Sequence, residues 1–384
     1  EALIDAGFAG DVESSYSSRL AVATDNSVYQ WLPQAVLFPR STADVVLLTT
    51  LARAPQYSGI SFSARGGGTG TNGQSLNDGL IVDLSRHMHG ILEFNLEERW
   101  VRVQAGLVKD KLNEFLKPHG LFFSPELSTS NRATIGGMIN TDASGQGSLV
   151  YGKTSAHVLA VTAVLDDGSL LQAHPVHGEA LAVKLADGGR EGAIYRQVLA
   201  SARDKRAEVE ATFPKLNRFL TGYDLKHVYD PASDGVDLSR LLCGSEGTLA
   251  FITEAKLDLT PIPTFRTLVN VKYDSFESAL RNAPVMVAAE ALSVETVDSR
   301  VLDLARGDII WHSVKSLIED VPGKIMLGIN IIEFAGDDAS EQARKVQALT
   351  ARLDGLLAAG EGGVIGYQVC DELASIETIY AMRK

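Results

Sequence analysis

The chain has 384 residues, 45 % of them hydrophobic, enough for a sizeable core in two domains or in one large domain with an insert. Its net charge of −13, with no block of Lys or Arg, argues against nucleic acid or an anionic lipid surface as partner. No apolar run approaches the length of a membrane span, so no transmembrane helix is expected. The two cysteines, Cys243 and Cys370, fit a reducing, cytoplasmic compartment.

An N-terminal segment, 1–35, precedes the first regular alternation. "RSTADVVLLTTLARA" (40–54) predicts a helix, with Ser41 as N-cap, Asp44 three residues on, and Val45, Leu48, Leu51 and Ala52 on one face. Strands are expected at 59–64, 80–85 and 99–106. Between the first two lies "ARGGGTGTNG", in which Gly68, Gly70 and Gly73 are spaced as G-x-G-x-x-G. That spacing normally opens a crossover helix in a dinucleotide-binding βαβ unit. Here "QSLNDG" (74–79) is too short and too polar for such a helix. A Walker loop is excluded because no Lys-Ser/Thr follows the glycines. What remains is a loop of exposed backbone N–H donors suited to a phosphate or pyrophosphate, with Arg65 at its entrance.

"VKDKLNEFLKPHG" (108–120) spaces Val108, Leu112, Phe115 and Leu116 as a helix that Pro118 and Gly120 end. A second glycine-rich segment, "PELSTSNRATIGGMINTDASGQGSLVYG" (125–152), holds a Gly-Gly pair inside an apolar stretch, where backbone can approach a flat, bulky group. Strands are expected around an Asp167-Gly168 turn (157–173), then a polar helix at 192–211. A third segment, "CGSEGTLAFITEAKL" (243–257), sets Gly-Ser-Glu-Gly at the mouth of a strand, which continues to two prolines and a domain boundary. From 263 the order is β-α-β-β-α-β, the split unit of an antiparallel sheet with helices on one face.

The histidine pairs His87-x-His89 and His174-x-x-His177 lack the Cys or HExxH context of a metal site, and two thiols cannot hold an iron–sulfur cluster, so no metal is expected. Three glycine-rich edges in one antiparallel-rich domain suit an extended ligand with a pyrophosphate, a ring system and a sugar, which is the shape of FAD.

In their order and distances, "VLFPRSTADV", "RGGGTGTNG", "PELSTSNRATIGG", "DASG", "YG" and "GSEGTLAFITEAKL" resemble the FAD-binding domain of the vanillyl-alcohol oxidase/p-cresol methylhydroxylase superfamily. Within it they are most similar to the FAD-linked D-2-hydroxy-acid dehydrogenases, the D-lactate and D-2-hydroxyglutarate enzymes included. The resemblance implies an α+β protein: a two-subdomain FAD-binding domain over 36–262, then a ferredoxin-like antiparallel cap over 263–384 that is cut short.

It further implies that Arg65, Gly66, Gly67, Gly68, Thr69, Gly70 and Thr71 bind the pyrophosphate. Pro125, Glu126, Ser128, Thr129, Thr134, Gly136 and Gly137 would line the flavin and its ribityl chain. Ser144, Gly145 and Gly152 would close around the ring, with Glu246, Gly247 and Ile252 toward the nucleotide. Asp142 and Ser144 depart from the Asn-Ala-Gly-Gly often found in relatives. The positions that carry a covalent flavin link in some relatives hold Thr69 and Ser130, so FAD is expected to be non-covalent.

The implied activity is oxidation of a D-2-hydroxy acid, D-2-hydroxyglutarate or D-lactate, with hydride passing to flavin N5 and electrons to an unknown acceptor. "IETIYAMRK" resembles the family segment whose arginine holds the substrate carboxylate and points to Arg383; the alternative is a solvated arginine. No residue is a convincing base, and the family's base motif is expected beyond residue 384, in a longer polypeptide. Tyr223 reads equally as core or as substrate contact, and His227, His312 and the tryptophans read as packing or surface residues. Two further readings stay open: a non-catalytic FAD-binding or electron-transfer subunit needing a partner chain, and an NADPH-dependent nucleotide-sugar reductase.

Overall fold

The computed structural model describes residues 1–216, 222–309 and 311–381. Its contacts divide the chain into two compact units: Glu1–Ser144 with Lys153–Pro261, and Gly145–Gly152 with Ile262–Lys384.

The first unit begins with a short mixed sheet. Strand β1 (Asp11–Glu13) runs antiparallel to β2 (Ala35–Phe38); helix α1 (Thr42–Ala52) follows, then β3 (Phe62–Arg65) and β4 (Leu80–Asp83). The order is β1-β2-β4-β3, with β4 parallel to both of its neighbours. Helix α1 starts as its sequence predicts: the Asp44 N–H donates to Ser41 Oγ at 3.2 Å. The Asp44 carboxylate accepts from the amides of Arg40 and Ala9, which ties the preceding chain to the helix's first turn. Val45 and Leu48 are buried as expected, while Leu51 and Ala52 are half-buried.

The second sheet is antiparallel. It joins β5 (Ile91–Asn95), β6 (Trp100–Gln104), β7 (Val158–Val164), β8 (Leu170–Ala173) and β9 (Phe251–Asp258) in the order β5-β6-β9-β7-β8. Helix α2 (Lys109–Leu116) buries Leu112 and Leu116; Phe115 instead stays partly exposed, edge-on to Phe94 at 5.4 Å. Helix α3 (Ile135–Asn140) carries the Gly-Gly pair. Leu37 and Val82 of the first sheet share one apolar core with Val101, Val103 and Ala255 of the second.

The second unit holds β10 (Phe265–Tyr273), α4 (Phe276–Val287), β11 (Ser293–Asp298), α5 (Ser299–Gly307), β12 (Gly328–Gly336), α6 (Ala339–Ala359), β13 (Val364–Cys370) and α7 (Leu373–Ala381). The sheet order β11-β12-β10-β13, all antiparallel, is the ferredoxin-like arrangement. Helices were expected on one face only, and this is corrected. Val269, Val271 and Phe334 pack with residues of α4 and α6, while Leu268, Ile329 and Ile331 pack with Leu302 of α5 and with Ile376 and Ile379 of α7. Strands β10 and β12 are buried on both sides, so each needs a second layer.

Candidate functional site

The glycine loop leaves the end of β3, and Arg65 frames it rather than facing a ligand with a free charge. Its guanidinium donates to the carbonyls of Val22 at 3.2 Å and Thr24 at 2.8 Å and to Ser75 Oγ at 3.4 Å. Burial holds its pKa below the ordinary arginine value. From Gly66 through Thr71, no backbone N–H donates to another group among the described residues. Such a run of unclaimed donors is what a pyrophosphate needs.

The first glycines are there to meet protein. A Cβ at Gly66 would lie 2.1 Å from Thr134 Oγ1, and one at Gly67 would lie 2.1 Å from the Arg132 carbonyl oxygen. The loop therefore leans directly on the segment that opens α3. At Gly68 the backbone has φ +61°, which glycine adopts without strain.

In that second segment Thr134 caps α3 and accepts from the Gly137 N–H at 3.3 Å. Gly136 N–H donates to the Ala105 carbonyl at 2.7 Å, and a Cβ there would lie 2.8 Å from the Ala105 side chain. Gly137 is more open: only Thr134 Oγ1, at 3.3 Å, lies within 4 Å of a Cβ. Upstream, Thr129 closes a turn by accepting from Arg132 and Ala133, with Ser128 beside it. Glu126, following Pro125, accepts from Lys109 Nζ at 2.7 Å; the lysine is 1 % exposed, so the pair anchors this turn to α2. The hydroxyls of Ser130 and Ser144 are buried without a hydrogen-bond partner among the described residues.

Asn140, at the end of α3, connects the second segment to the third. Its carbonyl accepts from Glu246 N–H at 2.8 Å, and its Oδ1 accepts from Gly247 N–H at 3.1 Å. Gln74 closes the circuit by donating to Glu246 Oε2 at 2.9 Å. Three sequence-distant glycine-rich segments thus meet in one unit. Gln74 and Asn140 are absent from the expected set. Their signal was weak: one side-chain amide just past the glycine loop, another ending the short apolar helix. Ile252 lies buried in β9 opposite Ala163.

Asp142 has φ +45°, which aspartate tolerates better than most residues. Its carboxylate accepts from the Ser155 N–H (2.8 Å) and hydroxyl (3.1 Å) and pairs with Lys153 Nζ at 2.5 Å. Where the family pattern has a neutral side chain, this chain carries a buried ion pair. Gly145 and Gly152 bound an excursion that belongs to the second unit.

The remaining candidates find ordinary partners. Tyr223 is 43 % exposed, with its hydroxyl 2.8 Å from Thr248 Oγ1, so the core reading is corrected. His227 lies 2.7 Å from Asp224, whose carboxyl stays below its ordinary range because that bond and charge outweigh the opposing effect of burial. His87 bonds Asp11 at 2.7 Å, His89 donates to the Ser85 carbonyl, and His174 donates to the Pro175 carbonyl. His312 is exposed. Among the described residues no three His, Cys, Asp or Glu side chains gather as a metal site, and no helix is long and apolar enough to cross a membrane. Arg383 lies outside the described residues.

Residues 33–174 match the family described as "FAD binding domain", and 262–384 match "FAD linked oxidases, C-terminal domain". The D-2-hydroxyglutarate dehydrogenase of Pantoea ananatis is 64 % identical over 385 residues, covering 100 % of this chain and 38 % of that protein. The enzyme of the same name from Escherichia coli is 63 % identical, covering 98 % of this chain and 37 % of that protein. The chain therefore spans well under half the length of these relatives. Among solved structures, alkyldihydroxyacetonephosphate synthase superposes with a TM-score of 0.67 at 17 % identity, covering 99 % of this chain and 66 % of that one. The unclaimed N–H groups, the unpartnered Ser144 hydroxyl and the open face of Gly137 fit a flavin dinucleotide. Residues 33–174 thus carry an FAD-binding domain and residues 262–384 the C-terminal domain of FAD-linked oxidases.

Proposed function

We propose that the protein oxidises a D-2-hydroxy acid, D-2-hydroxyglutarate first and D-lactate second, to the 2-oxo acid. The observation that carries this reading is the unclaimed N–H run from Gly66 to Thr71, closed in by the segments around Gly136 and Glu246, in a chain 64 % identical to a D-2-hydroxyglutarate dehydrogenase. When bound, FAD supplies the two-electron acceptor for the hydrogen on C2.

The chain's own residues do the rest. The amides of Gly66–Thr71 would donate hydrogen bonds to the pyrophosphate, while Arg65 ties the start of the loop to Val22, Thr24 and Ser75. Pro125, Glu126, Ser128, Thr129, Thr134, Gly136 and Gly137 line the flavin; Ser144, Gly145 and Gly152 close around the ring; Glu246, Gly247 and Ile252 lie toward the nucleotide. Arg383 grips the substrate carboxylate with two parallel N–H bonds, which fixes the face of C2 presented for oxidation. We place the protein in the cytoplasm, a reading supported by its two buried, unpaired thiols, Cys243 and Cys370.

The test is anaerobic mixing of the full-length natural protein with substrate while the flavin absorbance is followed. Bleaching by D-2-hydroxyglutarate, at a rate that supports turnover with an artificial acceptor, is the expected result. Bleaching by NADPH alone points to a reductase, and bleaching by neither points to a binding or electron-transfer subunit. Either outcome removes the proposal.

A further inference from the structure

Gln74 follows the last glycine of the loop and folds its side chain back across it. A Cβ at Gly70 would lie 2.6 Å from the Gln74 carboxamide carbon and 2.7 Å from its nitrogen and its oxygen. The carboxamide therefore occupies the space a side chain at position 70 would need, within the run of unclaimed N–H groups.

Two bonds fix which way that carboxamide points. Its Oε1 accepts from the Asn72 N–H at 3.1 Å, and its Nε2 donates to Glu246 Oε2 at 2.9 Å. One Nε2 hydrogen is thus used on Glu246, and the other has no acceptor among the described residues. Glu246 has φ +54°, a left-handed conformation that glycine adopts more easily. Asn140 holds the turn there by accepting from the amides of Glu246 and Gly247. A long side chain kept at such a position points to a use for that side chain. An ionised carboxylate repels a pyrophosphate, so direct contact with the phosphates is not that use. Orienting a neutral amide donor is. All of these residues lie in the first unit.

We propose that Gln74 is a further cofactor-binding residue, donating its second Nε2 hydrogen to the FAD pyrophosphate beside the amides of Gly66–Thr71. Glu246 is the positioning residue that aims it. This rests on the reading of that loop as the pyrophosphate site.

The experiment titrates the full-length natural protein, stripped of flavin, with FAD and follows the quenching of flavin fluorescence. Gln74→Ala should bind FAD roughly tenfold more weakly, as expected for a lost hydrogen bond to a charged group. Gln74→Glu sets a carboxylate against both Glu246 and the phosphates and should weaken FAD on the order of a hundredfold. The swap Gln74→Glu/Glu246→Gln restores a carboxamide–carboxylate bond between the two positions but leaves the charge beside the phosphates. Its melting temperature without flavin should return to that of wild type, while its FAD affinity stays roughly tenfold or more below wild type. Glu246→Ala should weaken FAD in the wild-type background and add nothing in Gln74→Ala. Unchanged FAD affinity in Gln74→Ala, full recovery of FAD affinity in the swap, or additive losses from Glu246→Ala and Gln74→Ala overturns the assignment. ADP, which carries the pyrophosphate without the flavin, separates the two levels. If ADP cannot displace FAD from wild-type protein, the pyrophosphate reading of the loop has failed. If ADP displaces it but binds wild type and Gln74→Ala equally well, only the assignment of Gln74 has failed.

Discussion

Lys153 Nζ and Asp142 Oδ2 lie 2.5 Å apart with both side chains buried, one on either side of the excursion 145–152. Thr154 reinforces the closure by donating through both its N–H and its hydroxyl to the Ala143 carbonyl. Removing the lysine alone leaves a buried carboxylate without its cation. Lys153→Met should therefore cost roughly 3–5 kcal/mol. The double variant Asp142→Asn/Lys153→Met should recover most of that loss, since asparagine tolerates the same backbone conformation and still accepts from Ser155. Urea denaturation of the four proteins of this cycle checks it; equal loss in the single and double variants contradicts the pairing.

Gly67 and Gly137 should fail in different ways. A methyl at Gly67 meets the Arg132 carbonyl, so Gly67→Ala should lower both thermal stability and FAD content. A methyl at Gly137 meets only the Thr134 hydroxyl, at 3.3 Å, which has to give by a few tenths of an ångström, so Gly137→Ala should fold with a melting temperature only slightly below wild type when flavin-free, yet retain much less FAD. Full FAD occupancy in Gly137→Ala would remove that residue from the flavin surface.

Asp83, at the end of β4 beside Arg65, titrates above its ordinary value because burial outweighs the hydrogen bonds from Ser85 and the charges of Arg65 and Arg86. A carboxyl whose pKa rises on folding favours the folded state while protonated, and that advantage is lost as pH climbs from the unfolded value, about 3.9, through the folded one. Asp83→Asn has no such titration. Its stability relative to wild type should rise between pH 4 and pH 8, whatever its offset at pH 4. A relative stability that falls over that range would reverse the sign assigned to Asp83.

Flavin should leave the protein on acid precipitation. Thr69 and Ser130 cannot form the histidine or cysteine links found in relatives, and the Ser130 hydroxyl is buried. Yellow colour in the supernatant is expected; a yellow pellet would contradict non-covalent binding.

Arg383→Lys should raise KM for D-2-hydroxyglutarate while leaving FAD content unchanged. A lysine keeps the charge and loses the two-pronged grip, a change on the order of 1.5–3 kcal/mol in kcat/KM. Wild-type kinetics in the variant would return Arg383 to the solvated reading.

Much of the fold was legible because its signals are local. The N-cap at Ser41, the Gly168 turn with φ +86° and the places of the second unit's strands along the chain all follow from short windows. The second helical layer on the ferredoxin-like sheet was not legible. Residues such as Leu268 and Val269 are both apolar, and alternation cannot say which face a run buries when it buries both. At the site, the glycine segments announced themselves, but the work of Arg65 did not. Its partners, the carbonyls of Val22 and Thr24, carry no side-chain signature and lie more than forty residues upstream. Gln74 and Asn140 were missed for the same reason, since their roles exist only once distant loops are brought together.

The excursion 145–152 also governs how this protein can be taken apart. Gln146 reaches partners 147 and 187 residues later in the chain, so the second unit is not a contiguous stretch of the sequence. During synthesis that short piece emerges long before the strands that receive it. A gene cut at the boundary near Ile262 would yield a C-terminal fragment lacking one of its own inner segments, and an N-terminal fragment carrying a displaced loop with nothing to dock on. Exchanging second units with a relative would thus require moving residues 145–152 together with everything from 262 onward.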